Sequence, residues 1–321
     1  MSNQRVSACT AAMLMVAAVA VWLVTGLTPV AAALPAGGSV DAGPAGLAAA
    51  LHIQYDGLRD QLATNPFRRP LVLVSSETSS DVKGDIYAVA PYPFGKFSEA
   101  LAGPQGWCEL LILHLNTKYC RVSQEPQQTT LLMNVGKKFD QPLADSFRLT
   151  FAWRLADQKA DYLRVLLGAD NGPLSTHDYR ITLEAVPLEN GTTFLHLSYA
   201  YGYGLTGKLA MLAYFGTVGR VKVGFTVVGK EQDGQPKYVD GMRGLVERNT
   251  MRYYLAIESF LGALAVPKGA QFEKRINDWF NAVERYPRQL HEMERSEYLV
   301  MKRNEYRRQQ LDEMAASAGR G

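Results

Sequence analysis

The chain has 321 residues, 47% of them hydrophobic and 20% charged, with a formal net charge of +3. That apolar fraction excludes bulk disorder, and the near balance of charge argues against a nucleic-acid binder held by phosphate contacts. The length allows one large domain, or one domain with an accessory piece.

The first 33 residues form a secretory signal pattern. Arg5 supplies a positive start, no other charge appears until Asp41, Val6 to Leu27 is mostly apolar, and Ala31-Ala32-Ala33 offers a small-x-small cleavage site. Export with cleavage near Ala33 is predicted, into the periplasm if the host is Gram-negative. The alternative is an uncleaved anchor, since about 20 apolar residues span a bilayer. Cys9 precedes the apolar stretch instead of following it, which argues against lipidation there. Residues 34–46, rich in Ala, Gly and Pro, form a flexible leader.

Leu47, Leu51, Tyr55, Leu58 and Leu62 then recur at helical spacing and stop before Asn65-Pro66. Leu71 to Val74 and Gly84 to Ala90 are strand candidates. Phe97 to Leu101 suits a turn or two of helix, and Pro104 could open another from Trp107 through Leu115. With Cys9 removed, Cys108 and Cys120 are an even pair, and a disulfide between them is predicted. Twelve helical positions span about 18 Å, so the bond requires the helix to end near Leu115-Asn116 and the chain to fold back. The alternative is two buried free thiols. Two sulfurs alone leave a zinc tetrahedron half empty, so no metal site is expected.

Five alternating stretches follow: Thr129 to Phe139, Ser146 to Leu155, Asp161 to Leu167, Asp178 to Val186 and Thr192 to Tyr203. In the clearest, Phe147, Leu149, Phe151 and Trp153 share one face while Arg148, Thr150 and Arg154 share the other. Such a period of two predicts a sheet that is wet on one side and apolar on the other. Asn190-Gly191 signals a hairpin, because both residues accept positive φ. In the last stretch Leu195, Leu197, Tyr199, Tyr201 and Tyr203 lie on one face, and Tyr179, Ile181, Leu183 and Ala185 would extend it. An apolar surface with hydroxyl tips suits either core filling or a ligand that is mostly hydrocarbon with one polar group.

Leu205 to Gly219 has helical character, and Val221 to Val228 reads as a strand before a turn at Asp233-Gly234. A long helix is predicted from Gly241 to Leu264, with an apolar stripe that includes Met242, Leu245, Val246, Tyr253, Ala256, Ile257 and Phe260, interrupted by Asn249. Glu247, Arg248 and Arg252 on the same helix fit a solvated salt-bridged face or ligand recognition. Two more helices are predicted, Phe272 to Tyr286 and Pro287 to about Ala316. The last is mostly charged, Lys302 and Glu305 included.

Catalytic motifs are missing. Gly202 to Lys208 has the spacing of a phosphate loop, but Leu209 stands where a magnesium-binding hydroxyl belongs, so a glycine-rich turn is the better account. The 5 histidines show no metal spacing, and no G-x-S-x-G elbow occurs. No catalytic residue, metal or cofactor is assigned.

The strand segment Gly84 to Ala90 before Pro93-Phe94, the strands from Thr129 to Tyr203 and the helix Gly241 to Leu264 occur in the order of the helix-grip fold. Over residues 70–265 the chain resembles the START-like (SRPBCC) superfamily. Two departures are the Leu205–Gly219 insertion and everything after Phe272. The resemblance implies an α+β fold, a curved antiparallel sheet packed on a long helix, with additional C-terminal helices and a cavity for a hydrophobic ligand. The predicted organisation is a signal peptide (1–33), a leader (34–46), a ligand-binding domain (47–266) and a helical extension (267–321). Tyr179, Leu197, Tyr199, Tyr201, Asn249, Tyr253 and Ala256 are the candidate ligand-binding residues. An exported binding protein for a lipid or hydrophobic small molecule is the favoured function. A cyclase-type enzyme on the same fold, and an envelope scaffold whose C-terminal helices meet a protein partner or membrane surface, are the alternatives.

Overall fold

The computed structural model describes residues 43–204 and 222–318. The signal segment, most of the leader and the Leu205–Gly219 insertion lie outside the described residues. Helix α1 (Pro44–Ala63) begins inside the leader, where Pro44 suits a first turn that needs no N–H. The Asn65 amide closes it by donating to the Gln61 and Leu62 carbonyls. Strands β1 (Leu71–Glu77) and β2 (Asp81–Ala90) form a hairpin, and both run past their apolar cores into polar ends. Helices α2 (Phe94–Leu101) and α3 (Pro104–Leu111) follow.

Strand β3 (Thr117–Glu125) has no counterpart among the predicted stretches. Thr117 to Cys120 are buried consecutively and the rest is largely open, so no alternation marks it. The predicted strands follow as β4 (Gln128–Val135), β5 (Phe147–Gln158), β6 (Leu163–Asn171), β7 (Thr176–Pro187) and β8 (Thr193–Tyr203). Gly191 takes φ 76° in the expected turn. All eight strands form one antiparallel sheet in the order β1-β2-β8-β7-β6-β5-β4-β3. With helix α4 (Gly241–Ala263) packed across β1, β2 and β8, this is the α+β helix-grip architecture. A Cβ on Gly84 would lie 2.4 Å from Thr250 Oγ1, so only glycine lets α4 press this closely on β2.

Because α3 stops at Leu111 and the chain turns back into β3, Cys120 returns to within 5.3 Å (Cα–Cα) of Cys108, and the predicted disulfide is present. The expected strand at 221–228 is shorter, as β9 (Val227–Lys230), paired with β10 (Pro236–Tyr238). Its first residues are not strand, because the Phe225 and Thr226 amides donate to the Glu247 carboxylate instead of to a neighbouring strand.

After α5 (Lys268–Val283), the single helix expected from Pro287 is two, α6 (Pro287–Leu290) and α7 (Arg295–Ala318). The break lets Glu292 turn inward to Arg252. These helices join the main core through Ile276, Trp279, Tyr298 and Met301. α7 also covers the edge strand β3, where Gln309 accepts from the Cys120 amide.

The outer face of the sheet is not wet throughout, contrary to the alternation argument. Leu51, Leu58 and Leu62 of α1 form a second core with Val72, Tyr162, Val186 and Phe194. Further along, around Lys83 of β2, Arg180 of β7 and Arg148 and Thr150 of β5, the outer face is open.

Candidate functional site

The inward face is fixed by register. Tyr199 pairs with Ile181 and Gly84, and Leu197 with Leu183 and Ile86, so these side chains share the side of the sheet that faces α4. Four of the predicted residues converge there. The Tyr179 and Tyr201 rings stack at 5.2 Å, Tyr199 lies 5.5 Å from Tyr201, and Tyr253 of α4 meets Tyr199 edge-on at 5.2 Å. Tyr179 shares a hydrogen bond of 2.6 Å with Thr176 Oγ1. Burial pushes the hydroxyl pKa of all four upward, far above 10 for Tyr199. Leu197 and Ala256 are completely buried within the packed core. A bulky residue at Ala256 would therefore test packing and not a cavity.

Asn249 accepts from Arg252 at 3.4 Å and lies beside the His114 ring, without a hydrogen bond of ordinary geometry to it. His114 stacks on Tyr253 with ring centres 5.1 Å apart. Its Nδ1 accepts from the Asn116 amide. Burial, and then the nearby Arg252 and Lys302 charges, hold its pKa well below 6.5, so the ring is neutral.

The sequence expectation of a solvated face at Glu247, Arg248 and Arg252 does not hold. All three are buried, because α4 is covered behind as well as in front. Glu247 accepts from Ser75, Thr226 and two backbone amides. Arg248 donates to the Val223 carbonyl at 3.1 Å. Arg252 binds Glu292 at 2.8 Å, and the same carboxylate takes Lys138 at 2.8 Å and Lys222 at 3.2 Å. Burial works against the Glu292 charge, but Arg252 and Lys138 outweigh it and bring its pKa down to about 2.

The charged C-terminal helix also turns charge inward. Lys118 and Lys302 both bind Glu305, at 3.0 and 2.8 Å, with all three side chains fully buried. Backbone carbonyls of Leu115, His114 and Thr117, with Met301 Sδ, take the remaining lysine protons.

On the outer face, His196 lies between Asp85 (2.8 Å) and Glu184 (3.4 Å) and stacks on Tyr87 at 4.4 Å. It borders a groove of about 590 Å³ with Lys83, Arg164 and Arg180. A larger groove of about 860 Å³ runs between α2, α3, the end of α4, α5 and α7. Among the described residues no group of three metal-ligating side chains occurs, and no helix is long and apolar enough to cross a membrane.

No family model and no curated protein matches the chain. Similar solved structures include human StAR-related lipid transfer protein 5, at 9% identity over 70% of this chain and 98% of that one, with a TM-score of 0.33. Norcoclaurine synthase from Thalictrum flavum matches at 13% identity over 46% and 81% of the two chains, with a TM-score of 0.31. A conserved protein from Geobacillus kaustophilus matches at 13% identity over 43% and 85%, with a TM-score of 0.29. Likeness at these scores supports no inference about ligand or activity.

Proposed function

We propose that the protein is an exported carrier that holds a lipid or other hydrophobic small molecule between the concave face of the sheet and α4. One observation carries this. Leu245, Asn249 and Tyr253 follow one another at four-residue steps on the side of α4 where Tyr253 meets Tyr199, yet all three are only half-buried. Tyr253 is also deep enough for burial to raise its hydroxyl pKa strongly. A side chain that is both deep and incompletely covered borders internal space. The four tyrosines would line that space with rings for an apolar body and hydroxyls for a polar group. Each buried ligand methylene contributes about 0.8 kcal/mol, so a chain of about ten can outweigh the cost of association.

A carrier fits better than an enzyme, since tyrosines with raised pKa are poor bases at neutral pH. Residues 47–266 would form the binding unit, and 267–321 would brace α4 from behind. The disulfide and the apolar N-terminal segment after Arg5 support export. Native mass spectrometry of protein purified from its own host, followed by extraction, should reveal a bound hydrophobic species. Leu245→Trp, which fills the proposed space, should fold normally and lose that species. Retention of the same lipid in equal amount by the folded variant would place the ligand elsewhere.

A further inference from the structure

The sheet side of this site carries a hydrogen-bond donor that the protein leaves unmet. Of the described tryptophans, Trp107 and Trp279 are 1% and 0% exposed, and each indole N–H donates to a backbone carbonyl, that of Leu101 at 2.9 Å and that of Arg252 at 3.1 Å. Trp153 breaks that pattern. Its Nε1 is buried and meets no acceptor among the described residues, although the residue as a whole is only half-buried. A buried donor without an acceptor is costly, and a ring that is both deep and incompletely covered borders internal space, as Tyr253 does.

Register fixes where that donor lies. Trp153 pairs with Thr129 of β4 and Leu167 of β6, Leu167 with Ile181 of β7, and Ile181 with Tyr199 of β8. All five side chains therefore point to the concave face, in one row that ends where α4 brings Tyr253 against Tyr199. Three strand spacings of about 4.8 Å separate Trp153 from Tyr199, about 14 Å along the sheet. The floor between them is apolar, since Leu167 and Ile181 belong to the main core. The inward neighbours of the indole carry no charge: Phe151 and Leu155, two positions to either side on β5, pair with Leu131 and Val165. A carboxylate or phosphate seated there would be buried away from any counter-charge on this face, which is costly. An uncharged oxygen would meet the N–H without that penalty.

We propose that the bound hydrophobe carries an uncharged oxygen, a hydroxyl or a carbonyl, that accepts the Trp153 Nε1–H, while its apolar part lies over Leu167 and Ile181 toward Tyr199. This rests on the carrier function proposed above. The full chain, incubated at pH 7 with equal amounts of dodecanol, dodecanoate and dodecane, is re-isolated, and the extracted molecules are quantified by gas chromatography. Dodecanol should be retained in excess of dodecanoate. The ratio of dodecanol to dodecane should fall about tenfold in Trp153→Phe, which keeps an apolar ring and loses the N–H, as expected for one hydrogen bond. Circular dichroism checks that the variant folds. In the wild-type chain labelled with nitrogen-15, dodecanol should move the Trp153 indole N–H resonance and leave those of Trp107 and Trp279 in place, a readout that does not depend on the variant. An unchanged ratio in the folded variant, or an unmoved Trp153 resonance, would overturn the anchor and leave the carrier standing. Preferential retention of dodecanoate would overturn the uncharged class. Retention of none of the three overturns the carrier as well.

Discussion

The two sides of the sheet hold their charge clusters at different depths. On the outer face His196 lies between two carboxylates, Asp85 and Glu184, which also take the partly exposed Lys83 and Arg164. On the helical side two carboxylates each serve several cations: Glu305 holds Lys118 and Lys302, and Glu292 holds Arg252, Lys138 and Lys222. The outer arrangement has two carboxylates around one imidazole and some access to water. In the Glu305 cluster no second carboxylate backs the first, and backbone carbonyl oxygens with the Met301 sulfur complete the shell of the two lysines. Redundancy decides how much any single residue matters.

The largest contrast should come from removing one carboxylate on each side. Glu305→Gln leaves two fully buried lysines with no anion and should cost about 3–5 kcal/mol. Glu184→Gln leaves His196 with Asp85 and should cost about 1 kcal/mol. Urea denaturation of the two variants measures both, and similar losses would refute the proposed difference. Burial already lowers the Lys302 pKa to about 8, against the pull of Glu305. A base with a depressed folded pKa contributes stability that is present above its unfolded value of 10.5 and lost as pH falls through about 8. The inner cluster should therefore gain stability on the alkaline side.

The inner cluster also depends on α4 staying pressed to β2. Gly84→Ala would place a methyl 2.4 Å from Thr250 Oγ1 and within 3.4 Å of the Val246 carbonyl. The helix must shift, at a cost of about 1–3 kcal/mol. Because the same shift would open the space beside Tyr253, this variant should also protect the α4 amides less from hydrogen exchange, while α1, on the far face, keeps its protection.

Much of this was legible from periodicity. The alternation in β7 and β8 assigned Tyr179, Tyr199 and Tyr201 to one face, and the four-residue steps of α4 brought Tyr253 to meet them. β3 was hidden because α7 buries its first four residues in a row. The outer core was hidden because Phe194 and Val186 had no visible partner until α1 folded over them. Arg248, Arg252, Lys302 and Glu305 are charged letters that suggest solvent, and only the fold reveals the carbonyls and carboxylates that receive them. A local pattern reports which side chains share a face; it does not report how many layers cover that face.

The smallest effect tests the outer side of the comparison. Burial opposes protonation of His196, but its hydrogen bonds to Asp85 and Glu184 prevail and raise its pKa above 6.5. A raised folded pKa contributes stability that is complete below the unfolded value near 6.5 and lost as pH rises through the folded one. Asp85 and Glu184 act in the other direction. Burial again opposes their charge, His196 outweighs it, and their lowered pKa values make their contribution fade as pH falls through the acid range. The outer cluster should therefore stabilise most between the carboxylate range and about pH 6.5, with a loss as pH rises through the raised folded value of His196. Stability measured from pH 4 to 9 should show this maximum in the wild-type chain and lack it in His196→Gln, which keeps the ring site polar but cannot titrate. Because His196 loses stability with rising pH while Lys302 gains it, the two sides predict slopes of opposite sign. A His196→Gln curve parallel to the wild type from pH 6 to 8 would remove His196 as the source and leave the outer face electrostatically silent.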